Sequence, residues 1–234
     1  INKFKNYITN IDGIKIHFIK IKGSDENSKP LLLMHGWPGS IIEFLHIIEK
    51  LAHPEKFGGN ENDSFDVIVP SLPGFGFSGS PSKPMGPRKM AEILNKLMIE
   101  NLGYKNYMAQ GGDWGATIAN WLGYDHSNFC KAIHINCLTM RHPKGPQSDE
   151  ERNWQKKFNE DQIMQEGYRT QQATKPQSLG YGMMDSPVGI AAWITEKMYS
   201  WSDLKNNDIE SVYSKDILLA NIMIYILTKT FDKA

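Results

Sequence analysis

The sequence predicts an α/β fold with a mostly parallel sheet, on three observations. Short strand-like runs alternate with helical stretches through residues 1–143. Most of these runs are continuously apolar, as expected of parallel strands covered on both faces. Glycine-rich turns directly follow two of them, where a strand would hand over to a helix or loop. At 234 residues the chain has room for one large domain or two small ones, taking about 150 residues per domain.

In chain order, Asp12-Gly13 marks a hairpin turn. Ile14 to Ile21 follows with apolar and polar residues alternating, the period of a half-buried strand. Leu31 to Met34, between Pro30 and Gly36, reads as a central parallel strand, and Asp66 to Val69, Tyr107 to Gln110 and Ala132 to Ile135 read as three more. Helical periodicity runs through Ile41 to Leu51, Lys89 to Asn101 and Ala116 to Tyr124. From Ser148 to Thr230 the chain is helical in pattern, broken at Lys175-Pro176 and Ser186-Pro187. The expected division is a core at residues 1–143 and a mainly helical module at residues 144–234, inserted after the fourth parallel strand.

Composition narrows the function classes. Lys plus Arg and Asp plus Glu each number 26, so nothing marks a nucleic acid or an anionic membrane as partner. A hydrophobic share of 40% with mean hydropathy −0.44 describes a soluble globular chain. The longest apolar run, Leu218 to Leu227, is interrupted by Asn221, and it is far shorter than the roughly 20 residues a membrane helix requires. Cys130 and Cys137 fit neither a zinc site nor a disulfide framework, which makes a reducing cytoplasm the expected compartment. The chain opens on Ile1 with no leader pattern and reads as a piece of something longer.

The strongest chemical signal is Gly111-Gly112-Asp113-Trp114-Gly115, between a strand and a helix. This is the pattern of a nucleophile elbow, with Asp in the nucleophile's place. A carboxylate is already anionic at neutral pH and can attack an sp³ carbon without a base, leaving an ester on the enzyme. The blander alternative is a tight turn whose Asp caps the next helix. His35-Gly36-Trp37-Pro38 follows the first parallel strand. In an elbow-containing fold that loop gives a backbone N–H to an oxyanion hole, so Trp37 and Trp114 are the expected donors. Gly74-Phe75-Gly76-Phe77-Ser78-Gly79 matches a dinucleotide-binding spacing literally. Such a loop must open a helix, and Pro81, Pro84 and Pro87 are expected to prevent one from starting there.

Together HGWPGS (35–40), PSLPGFGFSG (70–79), AQGGDWG (109–115), EGYRTQQATKPQ (166–177) and MMDSPVGIAAWI (183–194) resemble the microsomal-type epoxide hydrolases and their bacterial relatives, over nearly the whole chain. The resemblance implies an α/β-hydrolase core with a helical lid, and opening of small hydrophobic epoxides to vicinal diols. It implies Asp113 as nucleophile and Tyr168 as one lid acid that protonates the departing oxygen. A neutral phenol is chemically suited to that donation. The implied partners are a small epoxide and water, with no metal or organic cofactor; self-association stays open.

The chain departs from the family at its base. All seven histidines, the last being His142, precede the lid, whereas the fold's order is nucleophile, carboxylate, His. The expectation is an internal segment lacking the family's last strands, with the fourth parallel strand left as an exposed apolar edge. Such a chain performs at most the alkylation half-reaction. His134 and His142 are candidate substitutes for the base, though a satisfied histidine at a strand end is the commoner case for each. Met183, Met184 and Trp193 suit either an apolar pocket or plain core. Two rival readings remain: a haloalkane dehalogenase, which also uses an Asp nucleophile followed by Trp, and a catalytically incomplete chain that only binds small hydrophobic molecules.

Overall fold

In a computed structural model, which describes residues 1–137 and 142–233, a six-stranded sheet carries the molecule. Its strands are β1 (Asn6–Ile11), β2 (Ile14–Ile21), β3 (Lys29–Met34), β4 (Phe65–Pro70), β5 (Tyr107–Gly111) and β6 (Cys130–Ile135). They lie in the order β1-β2-β4-β3-β5-β6. The hairpin β1–β2 is antiparallel and joins β4 antiparallel, while β4, β3, β5 and β6 run parallel. Asp12 and Gly13 both take positive φ, 51° and 83°, the backbone that a two-residue hairpin turn demands.

Alternate strand residues feed two cores. Ile16, Phe18, Leu32, Met34 and Ile68 face one side and Ile19, Leu33, Val67 and Val69 the other. The polar residues of β2 are not all in water: Lys15 is exposed, but His17 is buried, held by the Ser71 hydroxyl at 3.0 Å and the Asn6 amide oxygen at 2.9 Å. At the far end β6 is the outermost strand, and Lys131 through His134 are exposed along it.

Three helical expectations change in detail. Ile41 to Leu51 is not one helix but a 3-10 turn, Ile41–Phe44, and a short α1 (Ile48–Ala52). The stretch holds four isoleucines, whose stiff β-branched side chains lower helix preference. Helix α2 (Pro87–Lys96) ends in a π-turn, Leu97–Asn101. Pro87 does not prevent this helix but opens it, since at the first position its missing N–H costs nothing. The glycine loop before it closes on itself instead, with the Gly74 N–H donating to Gly79 O at 3.0 Å and the Gly79 N–H to Lys15 O at 2.7 Å. Helix α3 (Trp114–Asp125) starts directly after Asp113.

Beyond the core come α4 (Asp149–Gln165), α5 (Gly167–Thr174), α6 (Pro176–Met184), α7 (Pro187–Ser200) and α8 (Lys215–Thr228). Ser148 and Glu151 form a capping box on α4, and Pro176 and Pro187 open α6 and α7. Residues 201–214 depart from the helical pattern, with Asn206 and Asn207 at φ 55° and 56°. Met183, Met184 and Trp193 pack partly buried against the larger core. No helix among the described residues is long and apolar enough to cross a membrane.

Candidate active site

Strand β3 is where the sheet's connections diverge: the chain leaves β3 for β4 on one side, and β5 lies on the other. Crevices at the carboxyl ends of such strands are where α/β sheets bind ligands. The loops after β3 and β5 are those that carry His35 to Ser40 and Gly111 to Gly115.

The elbow is built by close approach. A Cβ on Gly111 would lie 2.1 Å from the carbonyl of Gly115, and one on Gly115 would lie 2.1 Å from Met34 O. Between them Asp113 sits at φ 49°, ψ −120°, which costs a non-glycine residue roughly 1–3 kcal/mol. Its carboxylate makes no capping hydrogen bond to α3; Oδ1 instead accepts the Trp37 N–H at 2.8 Å. The Trp114 N–H acts on the same carboxylate. A Cβ on Gly36 would stand 2.3 Å from Oδ1, so only glycine lets the two loops meet. Burial raises the Asp113 carboxyl above the usual range and the two N–H groups pull it back.

The peptide between Gly36 and Trp37 is held from its other end. His35 is fully buried; its Nδ1 meets Gly36 O at 3.1 Å and its Nε2 the Leu72 N–H at 3.2 Å. Nε2 facing a backbone N–H must accept, so Nδ1 carries the proton and the ring is neutral. Burial pushes its pKa down to about 4. The N–H of this peptide meets Asp113 while its C=O meets His35.

Tyr168 enters from α5. Its ring stacks on Trp37, centroids 5.2 Å apart and planes within 8°, and leans on Trp201 at 5.0 Å. Burial, and next the Asp113 charge, raise the phenol above its ordinary value, so it is a neutral donor at physiological pH. Lys197, buried on α7, places Nζ 5.0 Å from the Tyr168 ring centre and pairs with Glu196 at 2.8 Å.

The structure thus brings Asp113, the Trp37 and Trp114 N–H groups and Tyr168 to one place. It does not bring the candidate bases there in the same way. His134 is exposed on β6 and lines an open apolar hollow on the sheet face, while His142 is exposed and accepts the Lys144 N–H at 3.2 Å. Glu43, Lys197 and Trp201 carry no sequence signal of their own; only a fold that joins distant segments gives them meaning. The carboxyl of Glu43 fills the space a Gly39 Cβ would need. Desolvation and then the Asp113 charge push it up to about 8. The residue also stays open to water along the hollow, which screens part of that shift.

The alpha/beta hydrolase fold family matches residues 29–179 and the epoxide hydrolase N terminus family matches residues 1–44. A putative epoxide hydrolase of Stigmatella aurantiaca is 43% identical over 98% of the chain and 53% of the relative. Epoxide hydrolase 1 of Oryctolagus cuniculus is 36% identical over 96% of the chain and 55% of the relative. The chain spans about half the length of the curated relatives it matches. The crystal structure of juvenile hormone epoxide hydrolase from the silkworm Bombyx mori superposes with TM-score 0.86 at 31% identity, over 99% of this chain and 60% of that one. Aspergillus niger epoxide hydrolase gives 0.83 at 31% identity, over 100% and 60%.

Proposed function

The chain belongs to the α/β-hydrolase family, and from that premise we propose that it acts on small hydrophobic epoxides through an aspartyl ester. The observation that carries this is the Trp37 N–H at 2.8 Å from Asp113 Oδ1. In an ester on Asp113, the oxygen resting on the Trp37 N–H is the carbonyl oxygen, the atom that becomes an oxyanion when water attacks. The other carboxylate oxygen is the nucleophile.

In the first half-reaction that oxygen forms a bond to an epoxide carbon and the carbon's bond to the ring oxygen breaks. The ring oxygen takes the Tyr168 proton, and the phenolate is reprotonated by water. The aromatic surface of Trp37, Tyr168 and Trp201 supports an apolar substrate, and the Lys197 ammonium favours the transient phenolate. In the second half-reaction a base must take a proton from the water that adds to the ester carbonyl, with charge resting on the Trp37 and Trp114 N–H groups, before the alkoxide leaves with its proton as the diol. Neither His134 nor His142 is brought to Asp113 as Tyr168 is, so the residues assembled here carry the alkylation half-reaction. Residues 1–143 serve as core and residues 144–234 as lid in this reading. It also places the reaction in a reducing cytoplasm, in keeping with the unpaired Cys130 and Cys137.

The test is the intact mass of the folded chain after exposure to a small aryl epoxide, with diol measured in solution. The expected result is a stoichiometric adduct, or diol release, that is lost in Asp113→Ala. A chain that gives neither, or whose Asp113→Ala variant behaves as the parent, contradicts the proposal.

A further inference from the structure

Helix α8 is apolar along almost its whole length, yet it holds two buried polar side chains, Asn221 and Tyr225. A buried amide in such a helix is costly unless both its donor and its acceptor are used. Both are used on one loop. The Asn221 amide nitrogen donates to Pro38 O at 2.7 Å, and its Oδ1 accepts from the Ser40 hydroxyl at 2.7 Å. One turn further on, the Tyr225 hydroxyl donates to Gly39 O at 2.7 Å. The Pro38 and Gly39 carbonyls belong to no strand or helix, and without α8 they would be orphaned acceptors.

These three bonds fall on the residues that follow Trp37, while His35 ties the Gly36 carbonyl just before its N–H. The loop is thus anchored on both sides of the N–H that meets Asp113. We propose that Asn221 and Tyr225 are positioning residues of the oxyanion loop, fixing the peptides after Trp37 so that its N–H stays aimed at Asp113 Oδ1. The inference rests on the reading of that N–H as an oxyanion donor. It gives α8 a role that neither its apolar pattern nor its distance in sequence from the elbow suggests.

The test uses Tyr225→Phe, which keeps the buried ring and removes only the hydroxyl, and Asn221→Leu, which removes both amide contacts. Tyr225→Phe alone decides if Asn221→Leu does not fold. In the free chain, amide exchange at Trp37 and Gly39 is expected to quicken about tenfold with the rest of the sheet unchanged. With the aryl epoxide, the saturating alkylation rate should fall by about tenfold to a hundredfold at an unchanged half-saturating concentration. The pH midpoint of Asp113 alkylation should move upward, because a weaker N–H contact stabilises the carboxylate less. A folded Tyr225→Phe variant with parental exchange, rate and midpoint overturns the inference. If the parent chain forms no adduct, the epoxide reading fails instead, and the exchange measurement still decides the role of α8.

Discussion

Asp113 occupies a backbone conformation that no helix or strand asks of it. Such strain persists where the surroundings over-determine it, here through Gly111 and Gly115 closing beneath it and Gly36 beside it. The gain is a carboxylate standing clear of the sheet and aimed at two N–H groups. Tyr168 differs in kind, since its placement comes from stacking on Trp37 and Trp201 rather than from backbone strain. Tyr168→Phe keeps that stacking and removes the acid. It should lower epoxide ring opening by about 10²- to 10⁴-fold with thermal stability nearly unchanged, as read by single-turnover alkylation and melting. Were Tyr168→Phe to alkylate at the parental rate, the acid would lie elsewhere. Retained halide release from a haloalkane would then favour the dehalogenase rival.

At the scale of elements, the loop after β3 and the elbow after β5 work as one unit, because neither reaches its position without the other. The Cβ in Gly115→Ala would meet Met34 O at 2.1 Å, backbone against backbone. The loss expected is on the order of 1–3 kcal/mol or more, seen as a lower urea midpoint; an unchanged midpoint would mean that the elbow can move away from β3. Both loops were legible in the sequence, since glycines that flank a charged residue between a strand and a helix mark a turn tight enough to hold that side chain clear of the sheet. So were β2, from its apolar–polar alternation, and β3 to β6, from short apolar runs bounded by turn residues. The contribution of α8 was not legible: Asn221 showed only as an interruption of an apolar run, and the loop that α8 anchors lies some 180 residues away. The helix expected over Ile41 to Leu51 divides into a 3-10 turn and a short helix because its four β-branched isoleucines weaken the helical preference that its apolar periodicity suggests. The irregular stretch 201–214 had a signal in Asn206-Asn207-Asp208, a turn-forming run inside an otherwise helical pattern.

Across the whole molecule, the site lies at the carboxyl ends of β3 and β5, with α5, α7 and α8 arriving from the far part of the chain. Burial that shapes this arrangement also sets its response to acid. His17 and His35 are both buried and neutral, each with a pKa near 4 against 6.5 in water. The unfolded chain binds more protons than the native one between those values, so each histidine removes stability as pH falls from 6.5 toward 4, at most on the order of 3 kcal/mol. Glu43, raised to about 8, acts in the opposite sense, removing stability as pH rises from 4.5 toward 8. A variant comparison isolates the histidine effect. In His17→Gln one of the two titrations is gone, so the parent's advantage in urea unfolding should shrink between pH 7 and pH 5. An advantage that stays constant over this range would mean His17 is solvated in the native state.

Covalent attack by Asp113 can be read from a single turnover with an aryl epoxide in water enriched in the heavy oxygen isotope, followed by peptide mass analysis. The change is expected on the peptide containing Asp113: a retained alkyl group if the ester persists, or one heavy oxygen atom in the carboxylate if the ester has been hydrolysed. Heavy oxygen found only in the diol, with Asp113 unaltered, would mean that water attacks the epoxide directly, and would contradict covalent attack by Asp113.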